Sequence, residues 1–323
     1  MSDTLWLWIG FNVFVLGMLA LDLGVFHRHA HVVKFKEAAT WSVVWILLAS
    51  VFGAGLYWLH PRGPQASLEF FTGYLIEKSL SIDNIFVFVL IFAAFAVPAA
   101  YQHRVLFWGI LGALVMRAFF ILIGAWMLEQ FHWIIYIFGA FLIITGIKMG
   151  LERERVMEIE GNAVVKLTRR IFPVTSDYRK DRFFVRDAGK LLATPLFVVL
   201  VMVEFTDLIF AVDSIPAIFA VTRDPFLVYS SNVFAIMGLR SLYFLLAGVV
   251  DRFHLLKIGL AIVLVFVGVK MLLVETAWKV PTLWSLVVIG GVIGASIALS
   301  LIFPKAAKEE IVPEHPVVPK RDA

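Results

Sequence analysis

Apolar stretches, each about as long as a bilayer is thick, alternate along the chain with short polar breaks. Nine qualify: residues 5–26, 40–59, 69–97, 104–127, 132–150, 193–221, 226–250, 255–274 and 281–303. A helix needs roughly 20 apolar residues to cross a bilayer. Backbone polar groups find no water in hydrocarbon, so such runs must satisfy their own hydrogen bonds as helices. Pro61, Pro98, Pro195, Pro225, Pro281 and Pro304 stand at or near the borders, where a missing N–H costs least. The pattern predicts an all-α polytopic membrane protein with about nine transmembrane helices. Composition agrees: the chain is 61% hydrophobic and 16% charged, with mean hydropathy +0.91, whereas soluble domains are about 25% charged. The opening MSDTLWLWIG lacks a basic segment and a small-residue cleavage site, so the first run reads as a retained span.

Lysine and arginine set the expected orientation. Segments 27–37, 102–104, 151–192, 251–257 and the tail from Lys305 hold 20 of the 28 basic residues, while the opposite connections hold three, Arg62, Arg223 and Lys279. This bias predicts an outside N-terminus and a cytoplasmic C-terminus. It also accounts for the net charge of +4 as a record of topology, with no nucleic-acid partner. Segment 151–192 is the one sizeable polar piece, with a short amphipathic helix near 164–172 and a hairpin around Asp187-Ala188-Gly189. It reads as a solvated cytoplasmic linker or as a partner-binding loop.

The chain also repeats itself. EKSLSIDNIFVF (77–88) and DLIFAVDSIPAIF (207–219) each place two acids six residues apart. MRAFFILIGAW (116–126) matches LRSLYFLLAGV (239–249), each with one arginine, and 130–150 matches 252–272. Each unit contains three spans, and three is odd, so the second unit enters the membrane from the opposite side. Inverted repeats of this kind build many transporters, with the site where the repeats meet. The division is two N-terminal helices (1–68), a first repeat (69–150), the linker (151–192), a second repeat (193–274), a final helix (275–303) and a polar tail (304–323).

Five acids fall inside two repeat-related helices: Glu77, Asp83, Glu204, Asp207 and Asp213, with Lys78, Arg117 and Arg240 in the same layer. A charge in mid-bilayer costs at least about 2.5–3.5 kcal/mol and so faces a bundle interior or a wet cavity. The excess of acids over bases suits either a bound divalent cation or protonation of coupled carboxylates. Six residues along a helix leave Glu77 and Asp83 about 120° apart, whereas seven put Glu77 with Asn84, and Asp207 with Ser214, on one stripe. Pro216 frees the carbonyl near Val212, and a helix opened there would offer it as a ligand. The candidate ligands are Glu77, Asp83, Asn84, Asp207, Asp213 and Ser214; Glu204, Lys78, Arg117, Arg240, Asn232 and Asp22 support them. These all-oxygen donors suit Mn²⁺, Mg²⁺ or Ca²⁺ better than Cu⁺ or Zn²⁺. The alternative is that the acids only pair with Arg117, Arg240 and Lys78 to hold helices together. Asn232 is either a ligand or an interhelical hydrogen bond, Asn12 and Asp22 either line a pathway or serve locally, and Lys148 and Lys270 snorkel. His27, His29 and His31 belong to a basic topogenic loop or bind a metal. The glycines Gly290, Gly291 and Gly294 permit close packing or a dimer contact. The absence of cysteine excludes disulfides and dithiol chemistry.

Residues 73–88 (GYLIEKSLSIDNIFVF) and 203–226 (VEFTDLIFAVDSIPAIFAVTRDPF) closely resemble the TerC family of integral membrane proteins, and the resemblance extends from about residue 5 to residue 300. It implies a bacterial inner-membrane protein in which Glu77, Asp83, Asn84, Asp207, Asp213 and Ser214 form the family's acidic motif. Family members are linked to tellurium resistance, to a redox-modulating role and to manganese export. The resulting expectation is a divalent-cation transporter, with Mn²⁺ leaving the cytoplasm in exchange for protons, no tightly bound cofactor and no enzymatic activity. The rival is a non-transporting scaffold whose 151–192 loop contacts partners such as the secretion machinery; homo-oligomers suit either.

Overall fold

The computed structural model describes residues 2–21, 35–151, 162–187, 189–247, 255–274 and 278–303, together with Phe253 and Thr276. Asp22, the histidines at 27, 29 and 31, most of segment 151–161 and the tail from 304 lie outside the described residues. Each apolar stretch is helical: α1 (Ser2–Leu21), α2 (Phe35–Leu59), α3 (Pro64–Ala94), α4 (Ala99–Gln130), α5 (Ile134–Leu151), α7 (Pro195–Phe219), α8 (Pro225–Met237), α9 (Leu239–Leu246), α10 (Leu256–Leu272) and α11 (Thr282–Ile302). Among the described residues, α2, α4, α5, α7 and α11 are long and apolar enough to cross a membrane. The others fall short for visible reasons: α3 carries Glu69, Glu77, Lys78 and Asp83, α10 is 17 residues long, and the expected span 226–250 is two helices.

That interruption of the expected span is one residue long, and its backbone stays in the right-handed helical region (φ −79°, ψ −5°). It falls at Gly238, which ends α8 and precedes α9. A Cβ on Gly238 would lie 2.7 Å from Lys78 Nζ and 3.3 Å from Trp45 Cβ. The Lys78 ammonium thus reaches the carbonyl end of α8, with Nζ 3.5 Å from Ala235 O, where the helix dipole favours a cation. Pro216 brings a correction. The chain does not open there, and α7 runs through it to Phe219. Proline removes the hydrogen bond to Val212 O without unwinding the turn, because packed neighbours hold both sides: Ile215, Ala217 and Ile218 are all buried.

Helix α3 packs against α8 and α7, α4 against α7 and α8, and α5 against α10, while α2 and α11 flank α3. The α5–α10 crossing is close and antiparallel. A Cβ on Gly268 would lie 2.6 Å from Gly139 O, and one on Gly146 would lie 2.8 Å from Ala261 O. Real Cβ atoms do not approach so near, so glycine is what lets these backbones touch. The contacts also come in exchangeable pairs. In the register that matches Gly146 with Gly268, Gly139 corresponds to Ala261 and Ile143 to Val265. Gly139–Gly268 then exchanges with Ala261–Gly146, and Gly268–Ile143 with Gly146–Val265.

The linker is not merely solvated. Asn162 caps α6 (Ala163–Ile171) by accepting from Val164 N at 2.9 Å, and β1 (Phe184–Asp187) pairs antiparallel with β2 (Lys190–Ala193). Tyr178 donates to Phe95 O at the end of α3 (2.7 Å), and Arg104 of α4 pairs with Asp181 at 2.6 Å. The same guanidinium lies 5.2 Å from the Phe183 ring. Burial pushes the Tyr178 hydroxyl up to about 12, so it stays a donor. Burial alone would raise the Asp181 carboxyl, but the hydrogen bond and charge of Arg104 override it and hold it below its ordinary value.

Two outcomes follow from this packing. Gly268→Leu forces apart two touching backbones and should cost about 1–3 kcal/mol or more, seen as a lowered melting temperature of the detergent-purified protein, while Gly291→Leu, whose Cβ meets nothing within 4 Å, should not. A depressed folded-state pKa stabilises above the ordinary carboxylate range and is lost as pH falls through the folded value. Asp181→Asn should therefore speed amide exchange in residues 172–187 at neutral pH, and in the parent that protection should fall away only below about pH 4.

Candidate functional site

At the centre of the bundle a single guanidinium binds two carboxylates from different helices. Arg117 of α4 is 1% exposed, Glu77 of α3 is 0% and Asp207 of α7 is 3%. Arg117 Nη1 donates to Glu77 Oε1. Its other face is bidentate on Asp207, with Nη2 to Oδ1 at 3.1 Å and Nε to Oδ2 at 3.3 Å. Nη1 also meets Asn232 Oδ1 of α8 at 3.0 Å and Ser214 Oγ at 3.3 Å. Asn232 Nδ2 closes the ring by donating to Glu77 Oε2 at 3.3 Å. Five side chains from four helices thus share one network, with two negative charges against one positive.

The helical stripes explain who meets whom. Asp207 and Ser214, seven residues apart on α7, both face Arg117 as their spacing requires. Asp213, set about 120° round the same helix, turns toward α5, where Thr145 Oγ1 donates to its Oδ1 at 3.4 Å. It is half-buried and does not join the central ring. The Glu204 carboxylate fills the space beside Gly112 of α4, which a Cβ would block. Lys78 goes to the end of α8, as described. Asn84 is buried at 3%, and the Asp83 side chain lies outside the described residues. Arg240 of α9 and Asp207 both line a narrow cleft whose wall includes Phe88, Gly109 and Val203. Of the expected ligands, then, the structure unites Glu77, Asp207 and Ser214, along with the supporting Arg117 and Asn232. For Asn232 the interhelical hydrogen bond is what is seen, with Asn12 of α1 likewise accepting from Tyr229 of α8 at 3.1 Å. Among the described residues, no three His, Asp or Glu side chains stand together as a ready cage for a metal.

Reading the sequence missed a second polar cluster, at the turns that join α2 to α3 and α7 to α8. Arg62 pairs with Glu69 and with Asp224 at 2.9 Å each, and His60 Nε2 lies 3.2 Å from Asp224. These residues are up to 164 positions apart, and only their separate places in polar loops could have hinted at it. Lys270 corrects an expectation: it is 8% exposed rather than snorkelling, and among the described residues its Nζ has no hydrogen-bond partner. Lys148, its repeat partner, is exposed as expected.

Residues 62–308 match the integral membrane protein TerC family. The chain belongs to that family. It is 59% identical over 296 residues to an uncharacterized membrane protein of Myxococcus xanthus, covering 92% of each chain. It is 52% identical over 295 residues to a protein of Escherichia coli K12 named as a proposed membrane-bound redox modulator, Alx, covering 89% of this chain and 91% of that one. An uncharacterized membrane protein of Rickettsia felis is 42% identical over 264 residues, 82% of this chain and 87% of its own. No solved structure matches. This TerC protein is therefore a multi-pass membrane protein, and its central ring sits within the matched region.

Removing one partner of a buried ion pair strands the rest and costs about 3–5 kcal/mol. Arg117→Gln should lower the melting temperature of the detergent-purified protein sharply. The double variant Glu77→Gln/Arg117→Gln, which removes opposite charges together, should recover part of that loss. Equal melting of single and double variants would mean the network carries no coupled charge.

Proposed function

We propose that this TerC protein is a divalent-cation transporter that moves Mn²⁺ out of the cytoplasm in exchange for protons, rather than an enzyme. The observation that carries this reading is the meeting of Glu77 and Asp207 at one buried point. The two acids stand at corresponding positions of the two repeated segments and come from different helices. Around them Ser214 and Asn232 supply hydroxyl and amide oxygens, a hard donor set suited to Mn²⁺ or Mg²⁺. The ring holds a cation already, as the Arg117 guanidinium, so the site is built for positive charge. A metal ion would take that place once the guanidinium withdraws. Intramembrane carboxylates also serve as proton relays in pumps and transporters, which supplies the exchange.

The antiparallel α5–α10 crossing, with contacts that exchange between the repeats, supports inverted topology and a two-fold relation between the halves. Asp213, one stripe round α7 from Asp207, is then a way station beside the centre rather than a member of it. The redox role in the name of the Escherichia coli relative finds no thiol here, since the chain has no cysteine. The docked linker keeps the scaffold reading as the competitor.

The two readings separate in a deletion strain carrying the gene on a plasmid, with total cell manganese measured by mass spectrometry. Asp213→Asn, outside the central ion-pair ring, should raise cell manganese to the level of the deletion at unchanged membrane abundance, and Asp207→Asn should do so when compared at matched membrane abundance. If both variants keep cell manganese at the parent level while changes confined to 163–187 abolish protection, the transporter reading is lost.

A further inference from the structure

The linker carries an apolar face that the rest of the chain leaves open. On α6, Val165 and Thr168 are buried, while Leu167 and Ile171, one turn apart beside them, are 59% and 61% exposed. The hairpin pairs Phe184 with Ala193 and Arg186 with Leu191, so Phe184, Arg186 and Leu191 share one face of it; Leu191 is 61% exposed. Aromatic rings connect the helix to the hairpin. The ring centroid of Phe172, which follows α6, lies 6.2 Å from that of Phe184 and 5.2 Å from that of Phe197 in α7, and Phe184 lies 4.6 Å from Phe197. A clustered apolar surface rimmed by polar residues marks a contact site.

Two observations indicate what covers it. The first is continuity with the surface that faces hydrocarbon. Phe197 stands in the first turn of α7, at the head of the four-residue row Phe197, Val201, Phe205 and Ile209, a ridge along one side of a helix. Phe205 and Ile209 are exposed apolar side chains in the middle of a helix long enough to cross a membrane. The ring cluster therefore continues the lipid-facing ridge of α7 onto the linker. The second is charge. Residues 162–194 hold eight Lys and Arg against three Asp. Of the acids, Asp181 is taken by Arg104, and Asp187, opposite Lys190, alternates onto the other face of the hairpin. Lys166, Arg169, Arg170 and Arg186 are exposed around the apolar face, and among the described residues none of them is in an ion pair.

We propose that this face docks on an anionic bilayer surface: Leu167, Ile171 and Leu191 enter the boundary between headgroups and acyl chains beside α7, while Lys166, Arg169, Arg170 and Arg186 bind lipid phosphates. An amphipathic helix lies in that boundary when buried apolar area and attraction to anionic lipid act together, and both are present here. The same linker is tied to the α3–α4 turn by Tyr178, which donates to Phe95 O, and by the Arg104–Asp181 pair. It therefore joins the lipid surface to the bundle, and the lipid charge sets how firmly it is seated. This surface stands apart from the central ring and is independent of what the ring carries.

The chain's lack of cysteine allows one probe at a time. Ile171→Cys and Leu191→Cys are labelled separately with an uncharged fluorophore, and the purified full-length protein is placed in nanodiscs whose lipids carry bromine on the acyl chains, which quenches the probe on contact. In discs of phosphatidylcholine with phosphatidylglycerol both probes should be quenched. In phosphatidylcholine alone, or with Arg169→Gln/Arg170→Gln in the anionic discs, the ratio of docked to free linker should fall by about tenfold, and raised salt should weaken docking in the same sense. All the substituted side chains are exposed, so the fold survives their replacement. Quenching that is equal with and without phosphatidylglycerol and unchanged by the double variant overturns the anionic surface. Probes that stay unquenched in every disc overturn it too, and leave the face to a protein partner.

Discussion

Everything near the centre of this protein answers to one requirement, the neutralisation of two buried carboxylates on adjacent helices. Glu77 and Asp207 cannot both be ionised in a dry bundle without a cation between them. Arg117 is long enough to reach both from a third helix, and its planar fork satisfies Asp207 through two nitrogens while a third reaches Glu77. Asn232 then becomes necessary in its turn, because it takes the remaining Glu77 oxygen and gives its own oxygen to Arg117. One ion-pair triad thereby dictates the mutual positions of α3, α4, α7 and α8.

Around that polar knot the packing is apolar and close. Gly268 and Gly146 let α5 and α10 touch backbone to backbone, and close approach is the main source of helix association where lipid is as apolar as the side chains. The arrangement separates two duties. The α5–α10 seam carries no charge at its glycine contacts, whereas the acids and arginines of the centre sit on α3, α4 and α7.

The order of helices was legible in the sequence because hydropathy over long windows is a local property, and the family resemblance rests on the same local motifs. The stripe argument also held for Asp207 and Ser214, which needs only helical geometry. What escaped were relations between distant residues. The need for glycine at 238 comes from Lys78, 160 positions earlier in the chain, whose ammonium fills the space a Cβ would take. Pro216 looked like a break because its missing donor is local, while the buried neighbours that keep α7 helical are not. Asp213 looked like a member of the centre by its repeat position, yet Thr145 on α5 draws it the other way. The cluster of His60, Arg62, Glu69 and Asp224 joins two turns that share no motif.

These misses point in one direction. Each is a case where a charged or polar group on one helix decides the backbone or rotamer of another, and such groups are the ones a membrane protein retains only at some cost. Lys270 is the sharpest example. Its ammonium is buried with no hydrogen-bond partner among the described residues, a placement that no local pattern announces. Near the start of α3, Glu69 is held by Arg62. Glu69 and Glu77 lie eight residues apart on that helix, about 80° apart round its axis and a little over two turns along it. Each is held by an arginine from a different element, Glu69 by Arg62 and Glu77 by Arg117, so α3 is fixed at its acidic positions from two sides.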